Sequence, residues 1–168
     1  MLSSQLSIPI KYSAGTENFP ANGITWDQAK AYCAWLSKLT AQTYRLPNRD
    51  EVTALYAGRS GENTLDYWAG YSVNPEDAKR LEPVVAELGP DSLLKEVGSF
   101  PGAGDTANGE ALVFDLGGNV SEWVVSSDGQ GTTVGGSADR PADPTTPPGV
   151  DNISFTGFRI VRGANAPK

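Results

Sequence analysis

The sequence predicts one α+β domain, with helices in the first half of the chain and strands in the second. Segment 24–39, "ITWDQAKAYCAWLSKL", has apolar residues at three- and four-residue steps, which is typical of an amphipathic helix. After Gly98 the chain turns into short apolar or β-branched runs separated by Gly, Asp and Ser. With 19 glycines and 12 prolines among 168 residues, we expect many turns and long connections between short elements.

The first helix has a clear start signal. Thr25 is placed to cap it, and Gln28, three residues later, completes a capping box. The only cysteine, Cys33, falls on the apolar face of this helix. We therefore interpret Cys33 as a small buried hydrophobic residue.

Two further helices are predicted before the strands. Asn48 caps the second, Glu51 lies in its first turn, and Gly58 ends it. A third, shorter helix starts at Asn74 and is predicted to end at Pro83, because proline disrupts helix interiors.

Four runs in the second half are predicted strands: 111–115, 121–125, 131–136 and 158–162. Asp128-Gly129 is suited to a hairpin turn between the second and third of them. Segment 138–152 contains four prolines without periodicity and is predicted to be a loop.

Composition excludes several classes of function. The net charge of −7 makes nucleic acid an unfavourable partner, since both carry negative charge. No apolar run approaches the ~18 residues of a transmembrane helix, so membrane insertion is not expected. The start, "MLSSQLSIPI", lacks the features of a signal peptide, and localisation stays open. Without histidine the chain contains no Ser-His-Asp or Cys-His nucleophile and no histidine metal site.

Three separated segments resemble one family. They are "ITWDQAKAYCAWLSKLTAQTYRLPNRDEV", then "VGSFPGAGDTANGEALVFDLGGNVSEWV", and finally "VGGS" with "GFRIVR". Together they are similar to formylglycine-generating-enzyme domains of the sulfatase-modifying-factor type, over roughly residues 20–163. The resemblance implies a C-type-lectin-like fold with two main helices, a small twisted antiparallel sheet and extensive loops. The family's N-terminal Gly-Gly-x-Phe-x-Met-Gly segment has no counterpart, so residues 1–168 are expected to form one such domain that is short or part of a longer protein.

The family resemblance also implies a structural calcium ion at "DLGGNVSEWVV". By that resemblance, Asp115 and Glu122 supply carboxylate oxygens, and Gly118 and Val120 supply main-chain carbonyls. Such a mixture of oxygens suits Ca²⁺. The alternative is a glycine turn whose polar side chains bond only to their own backbone.

The family's catalytic residues are missing. Its enzymes oxidise a sulfatase cysteine with two copper-binding cysteines just after Gly-Gly-Ser. Here, counted without gaps, Arg140 and Thr145 stand at those positions, and neither offers the thiolate that Cu(I) prefers. Cys33 lies on a different element. We therefore expect no bound copper and no formylglycine formation by this chain.

The resulting hypothesis is a non-catalytic module that binds a protein or small-molecule ligand. Its predicted ligand-binding surface is the 138–152 loop with Asp139, Arg140, Asp143 and Asp151. A retroelement-diversified receptor is a special case of this hypothesis. The alternative for the loop is that it only connects two elements at the surface and binds no partner.

Two other classes stay open. An enzyme with divergent chemistry would draw on Glu122, Asp128, Asp139 and Arg140, since carboxylates carry out acid–base chemistry without histidine. A structural component of a larger envelope or secretion assembly would contact other chains, or other domains of a longer polypeptide.

Overall fold

Helices dominate the first part of the chain and strands the last. The computed structural model describes residues 15–56, 64–100, 112–140 and 152–163. The helices in those ranges are α1 (Trp26–Thr40), α2 (Arg49–Tyr56), α3 (Thr64–Ala69), α4 (Pro75–Leu88) and α5 (Pro90–Leu93). The strands are β1 (Tyr44–Arg45), β2 (Ser121–Val125), β3 (Gly131–Val134), β4 (Thr156–Gly157) and β5 (Val161–Arg162). The predicted α+β class is confirmed.

Helix α1 forms as its local sequence predicts. The Thr25 hydroxyl accepts a hydrogen bond from the Gln28 amide (3.3 Å), and the Gln28 side chain accepts one from the Thr25 amide (2.7 Å). Both halves of the capping box are therefore present. Ala29 and Cys33 on the inner face are 0% and 5% exposed, which confirms the buried position of the cysteine.

Helix α2 follows β1 through the Arg-Leu-Pro segment. The Glu51 carboxylate accepts hydrogen bonds from the Asn48 amide (2.7 Å) and from both terminal nitrogens of Arg45 (2.6 and 2.7 Å). This exposed ion pair connects the end of β1 to the first turn of α2. Gly58, the predicted end of this helix, lies outside the described residues.

Helix α4 is longer than predicted. It starts after Asn74, whose side chain accepts a hydrogen bond from the Asp77 amide (2.9 Å), and it continues through Pro83 to Leu88. The prediction that Pro83 ends this helix is wrong. Proline removes one helical amide, but burial of Val85 in the core keeps the following turn helical. The two main helices are consequently α1 and α4, with 15 and 14 residues.

The strands form two small sheets. β2 and β3 pair antiparallel through the hairpin at Asp128-Gly129, and β1 pairs antiparallel with β5. β4 joins β2 in the parallel direction, with Glu122 opposite Gly157, so the sheet β3-β2-β4 is mixed. The antiparallel prediction thus holds for two of these three pairs. Of the other predicted strands, 158–162 is reduced to β5, and residues 112–115 contain only an isolated bridge at Val113.

Among the described residues, two hydrophobic clusters contain most of the buried apolar side chains. The larger includes Val85, Val120 and Phe155, and the smaller includes Ala29, Cys33 and Leu46 packed against Trp123. The rings of Trp26 and Trp123 lie tilted against each other, with their centroids 5.9 Å apart. Within the described ranges no helix is both long and apolar enough to span a membrane.

Candidate binding site

The turn before β2 is buried and holds three other segments in place. Asn119 is 1% exposed and has a left-handed backbone (φ 70°). Its amide donates to the Thr64 hydroxyl (2.9 Å), and its carbonyl accepts from the Ala138 amide (3.0 Å). Its side chain makes two 2.9 Å hydrogen bonds with the main chain of Lys95. These hydrogen bonds therefore connect the turn to α3, to residue 95 and to residue 138.

Asp115, a predicted calcium ligand, binds protein donors with both of its oxygens. Oδ2 accepts from the Gly98 amide at 2.5 Å, and Oδ1 accepts from the Phe100 amide at 2.9 Å. Asp115 also has a left-handed backbone, with φ 59°. The carboxylate thus binds the backbone of a segment fifteen or more residues earlier, rather than its own turn.

Glu122, the second predicted carboxylate ligand, forms a two-pronged ion pair with Arg159. The arginine Nη2 donates to Oε1 at 2.6 Å, and Nε donates to Oε2. Nη2 also donates to the main-chain oxygen of Phe114 at 3.2 Å. The side chains are 9% and 24% exposed, so the pair is well shielded from water. Removing one partner of such a pair typically costs about 3–5 kcal/mol.

This arrangement does not fit a calcium ion. Gly118 and Val120 lie in the buried turn, but Glu122 is held by a guanidinium and Asp115 by two amides. An ion bound to Glu122 would lie roughly 4–5 Å from the guanidinium, where +2 and +1 charges repel by about 7 kcal/mol at an effective dielectric constant of about 20. Among the described residues, no three His, Cys, Asp or Glu side chains are grouped as a metal site requires.

A cavity of about 420 Å³ opens beside this ion pair. Asp115, Glu122 and Arg159 form its polar part. Its apolar walls come from four segments and include Phe19, Val97, Leu112, Phe114 and Phe158. Val97, Leu112 and Phe114 are 63%, 43% and 41% exposed, so large apolar side chains surround the opening. Its volume is within the range of small-molecule and cofactor pockets, about 300–1,000 Å³.

Of the residues that follow Gly-Gly-Ser, Ala138 is buried, and Asp139 and Arg140 are half-buried. Asp139 accepts a hydrogen bond from the Ser137 hydroxyl. Burial raises the pKa of the Asp139 carboxyl above its ordinary value, against the opposing effect of the Ser137 hydrogen bond and the Arg140 charge. Arg140 pairs with Ser137 in an isolated antiparallel bridge. Asp143, Thr145 and Asp151 lie outside the described residues, so the proposed loop surface is described only at its first two positions.

Two of the candidates for divergent chemistry, Glu122 and Asp128, are not brought together. Glu122 pairs with Val134 near one end of the β2–β3 ladder, whereas Asp128 lies in the hairpin turn beyond the other end. Val125 lies three residue steps along the strand from Glu122, a distance of ~10 Å. The Asp128 carboxylate instead accepts from Ser126 and Gln130, and these hydrogen bonds lower its pKa.

Sequence reasoning missed Arg159 as a site residue. The available signal was a charged residue inside the apolar run "GFRIVR", since a charge in a buried strand requires a partner. Cys33 is poorly suited to bind copper as a thiolate, because it is buried on α1 and burial raises the pKa of its thiol.

The fold and the turn define a formylglycine-generating-enzyme-type domain, and comparison with known proteins agrees. The family model described as "Sulfatase-modifying factor enzyme 1-like domain" matches residues 7–166. The chain therefore belongs to this family. It is 30% identical over 173 residues to "Inactive C-alpha-formylglycine-generating enzyme 2" of Bos taurus, with 89% of this chain and 52% of that protein covered. The chain thus spans about half the length of this curated relative.

A solved structure was also found by comparison. "Structure of PvdO from Pseudomonas aeruginosa" is 19% identical, with a TM-score of 0.43, and the match covers 93% of this chain and 66% of that one.

Proposed function

We propose that this chain is a non-catalytic recognition module of the family, and that it binds an apolar segment of a partner protein in the cavity beside Glu122 and Arg159. The observation that carries the non-catalytic part is the residue after Gly-Gly-Ser-Ala-Asp. Arg140 stands where the family's first copper-binding cysteine is expected, and the chain's single thiol is buried on α1. The similarity to a relative named inactive supports the same conclusion.

The cavity supports recognition because it combines apolar walls with a fixed polar group. Exposed apolar side chains that are grouped around one opening are a usual mark of a binding surface. Arg159 and Glu122 fix one another, so a ligand meets a preorganised polar group rather than a mobile one. With a net charge of −7, the chain attracts a segment that carries basic residues next to its apolar ones.

The non-catalytic part is tested by incubating the chain with Cu(I), oxygen and a sulfatase-motif peptide, followed by mass spectrometry. An active enzyme of the family serves as the positive control. We expect no conversion of the peptide's cysteine to the aldehyde of formylglycine. Measurable conversion by this chain would overturn the proposal.

The binding part is tested by selecting peptides from a random displayed library on the immobilised chain. We expect enrichment of large apolar residues flanked by Lys or Arg. Phe114→Glu at the cavity opening should weaken the selected peptides at least tenfold, as measured by fluorescence anisotropy. Leu88→Glu, at the exposed end of α4, is the matched control and should leave binding unchanged. Equal binding to the Phe114→Glu variant would place recognition elsewhere.

Segment 138–152, whose residues 141–151 lie outside the described ranges, is the second candidate for ligand binding in this proposal, with Asp143 and Asp151 among its residues. If the chain is a diversified receptor, sequence variation among copies of the gene should concentrate in this loop. A near-identical template repeat beside the gene would support that version, and sequencing the locus tests it. Variation spread evenly over the chain would count against it.

A further inference from the structure

We propose that Arg159 supplies, within this chain, the positive charge that the family's turn takes from calcium, so that the fold holds without a bound cation. This inference does not depend on the recognition role. It rests on which atoms surround the predicted ligands Asp115 and Glu122. In this proposal, one side chain joins the chain segments that a metal ion would otherwise hold together.

The guanidinium collects oxygens of the kinds that calcium binds. Arg159 donates to both carboxylate oxygens of Glu122 and to the main-chain oxygen of Phe114. These acceptors lie 37 and 45 residues away along the chain. One planar cation therefore joins the segment before the turn, strand β2 and the residues after β4, as a multivalent ion would. The rigid fork of arginine is suited to such bidentate contacts.

The second carboxylate is also satisfied without a metal ion. Both oxygens of Asp115 accept main-chain amides, from Gly98 and Phe100. Two or more amide donors stabilise an ionised carboxylate without any cation. Neither predicted carboxylate ligand therefore requires calcium to compensate its charge.

Strand pairing explains why position 159 reaches Glu122. Gly157 lies opposite Glu122 in the parallel β2–β4 pair. A Cβ atom at residue 157 would collide with the Ala21 main-chain oxygen, so this position is restricted to glycine. Side chains two residues apart in extended chain point to the same side, which brings the Arg159 side chain over the carboxylate.

The test compares melting temperatures in excess EDTA and in millimolar CaCl₂. The wild-type chain should change by less than about 1 °C between the two, because no cation is needed. Arg159→Met should lower the melting temperature in EDTA by about 10 °C, since it leaves Glu122 buried without its partner. Calcium should then raise the melting temperature of Arg159→Met by several degrees, because the oxygens released by the arginine are available to the ion.

Three further variants make the result specific. Arg159→Lys keeps the charge and should remain insensitive to calcium. Glu122→Gln/Arg159→Met removes the carboxylate and should lose the calcium response. Arg162→Met, at an exposed position of β5, is the matched arginine control and should behave as wild type.

A wild-type shift of several degrees with calcium would overturn the proposal, and so would an Arg159→Met variant that folds without any calcium response. If Arg159→Met fails to fold in both buffers, the proposal is tested by the melting temperatures of the wild type and of Arg159→Lys, each compared between EDTA and CaCl₂. In that case, calcium insensitivity of both proteins supports the proposal, and a calcium response in either overturns it.

Discussion

The side chain of Asn119 pairs with the main chain of Lys95 through two hydrogen bonds of 2.9 Å, one accepted and one donated. The side-chain amide of Asn119 thus makes the two hydrogen bonds that a neighbouring strand would make, although Lys95 lies in no strand. It also fixes the position of the Lys95 ammonium, which lies 4.1 Å from the Tyr67 ring centroid and 4.5 Å from that of Trp68. A buried side chain in the turn thereby organises an aromatic cluster on α3.

Asn119→Ala should lower the free energy of unfolding by about 3 kcal/mol, because both main-chain groups of Lys95 lose a buried partner. Urea denaturation at neutral pH measures the change. Asn18→Ala, at an exposed position, is the control and should stay within about 0.5 kcal/mol of wild type. A loss below 1 kcal/mol for Asn119→Ala would show that water replaces these hydrogen bonds.

Gly157→Ala should destabilise the chain by about 2–3 kcal/mol. The added Cβ would overlap the Ala21 main-chain oxygen and lie 3.0 Å from Cγ2 of Val120, so backbone must move. Gly163→Ala is the matched control, since its Cβ would meet only atoms of Thr43, at 3.6 Å or more, which is ordinary van der Waals contact. Thermal unfolding of the two variants should separate clearly. Equal melting temperatures would mean that the β4 segment shifts freely.

The raised pKa of Asp139 predicts a pH dependence of stability. Above the ordinary carboxyl pKa of 3.8, the folded chain holds this proton more tightly than the unfolded chain. The contribution of Asp139 to stability therefore falls as pH rises through the window between the two pKa values, and it stays low above that window. Asp139→Asn replaces the titrating carboxyl with a neutral amide of nearly the same shape. Its stability relative to wild type should be higher at pH 7 than at pH 3.5, as measured by urea denaturation. The opposite trend would indicate that the Arg140 charge dominates.

Thr25→Ala should lower the free energy of unfolding by about 1 kcal/mol, because it removes one half of the capping box at α1. Thr53→Ala, within α2, removes only a bond to the helix's own Arg49 carbonyl and should change stability by less than about 0.5 kcal/mol. Differential scanning calorimetry of the two variants tests this. An equal effect would show that the cap contributes nothing specific.

Local signals in the sequence were reliable where neighbours in the chain decide the conformation. Thr25 and Gln28 meet as the capping box predicts, and Asp128-Gly129 forms the expected hairpin. Pro83 shows the limit of such signals, because its cost to α4 is outweighed by burial of Val85 nearby. The short helices α3 and α5 have six and four residues, which is too few to display a periodicity.

The sequence by itself determined the class of the domain, its family and the presence of a single cysteine, because these depend on residue types and their order along the chain. Only the tertiary structure decided what Asp115 and Glu122 bind. Their partners Gly98, Phe100 and Arg159 are 15 to 37 residues away, and spacing along the chain carries no information about such contacts. The same carboxylate at residue 122 is a plausible calcium ligand in the sequence and one half of a buried ion pair in the fold. The difference arises because strand β4 places Arg159 over it.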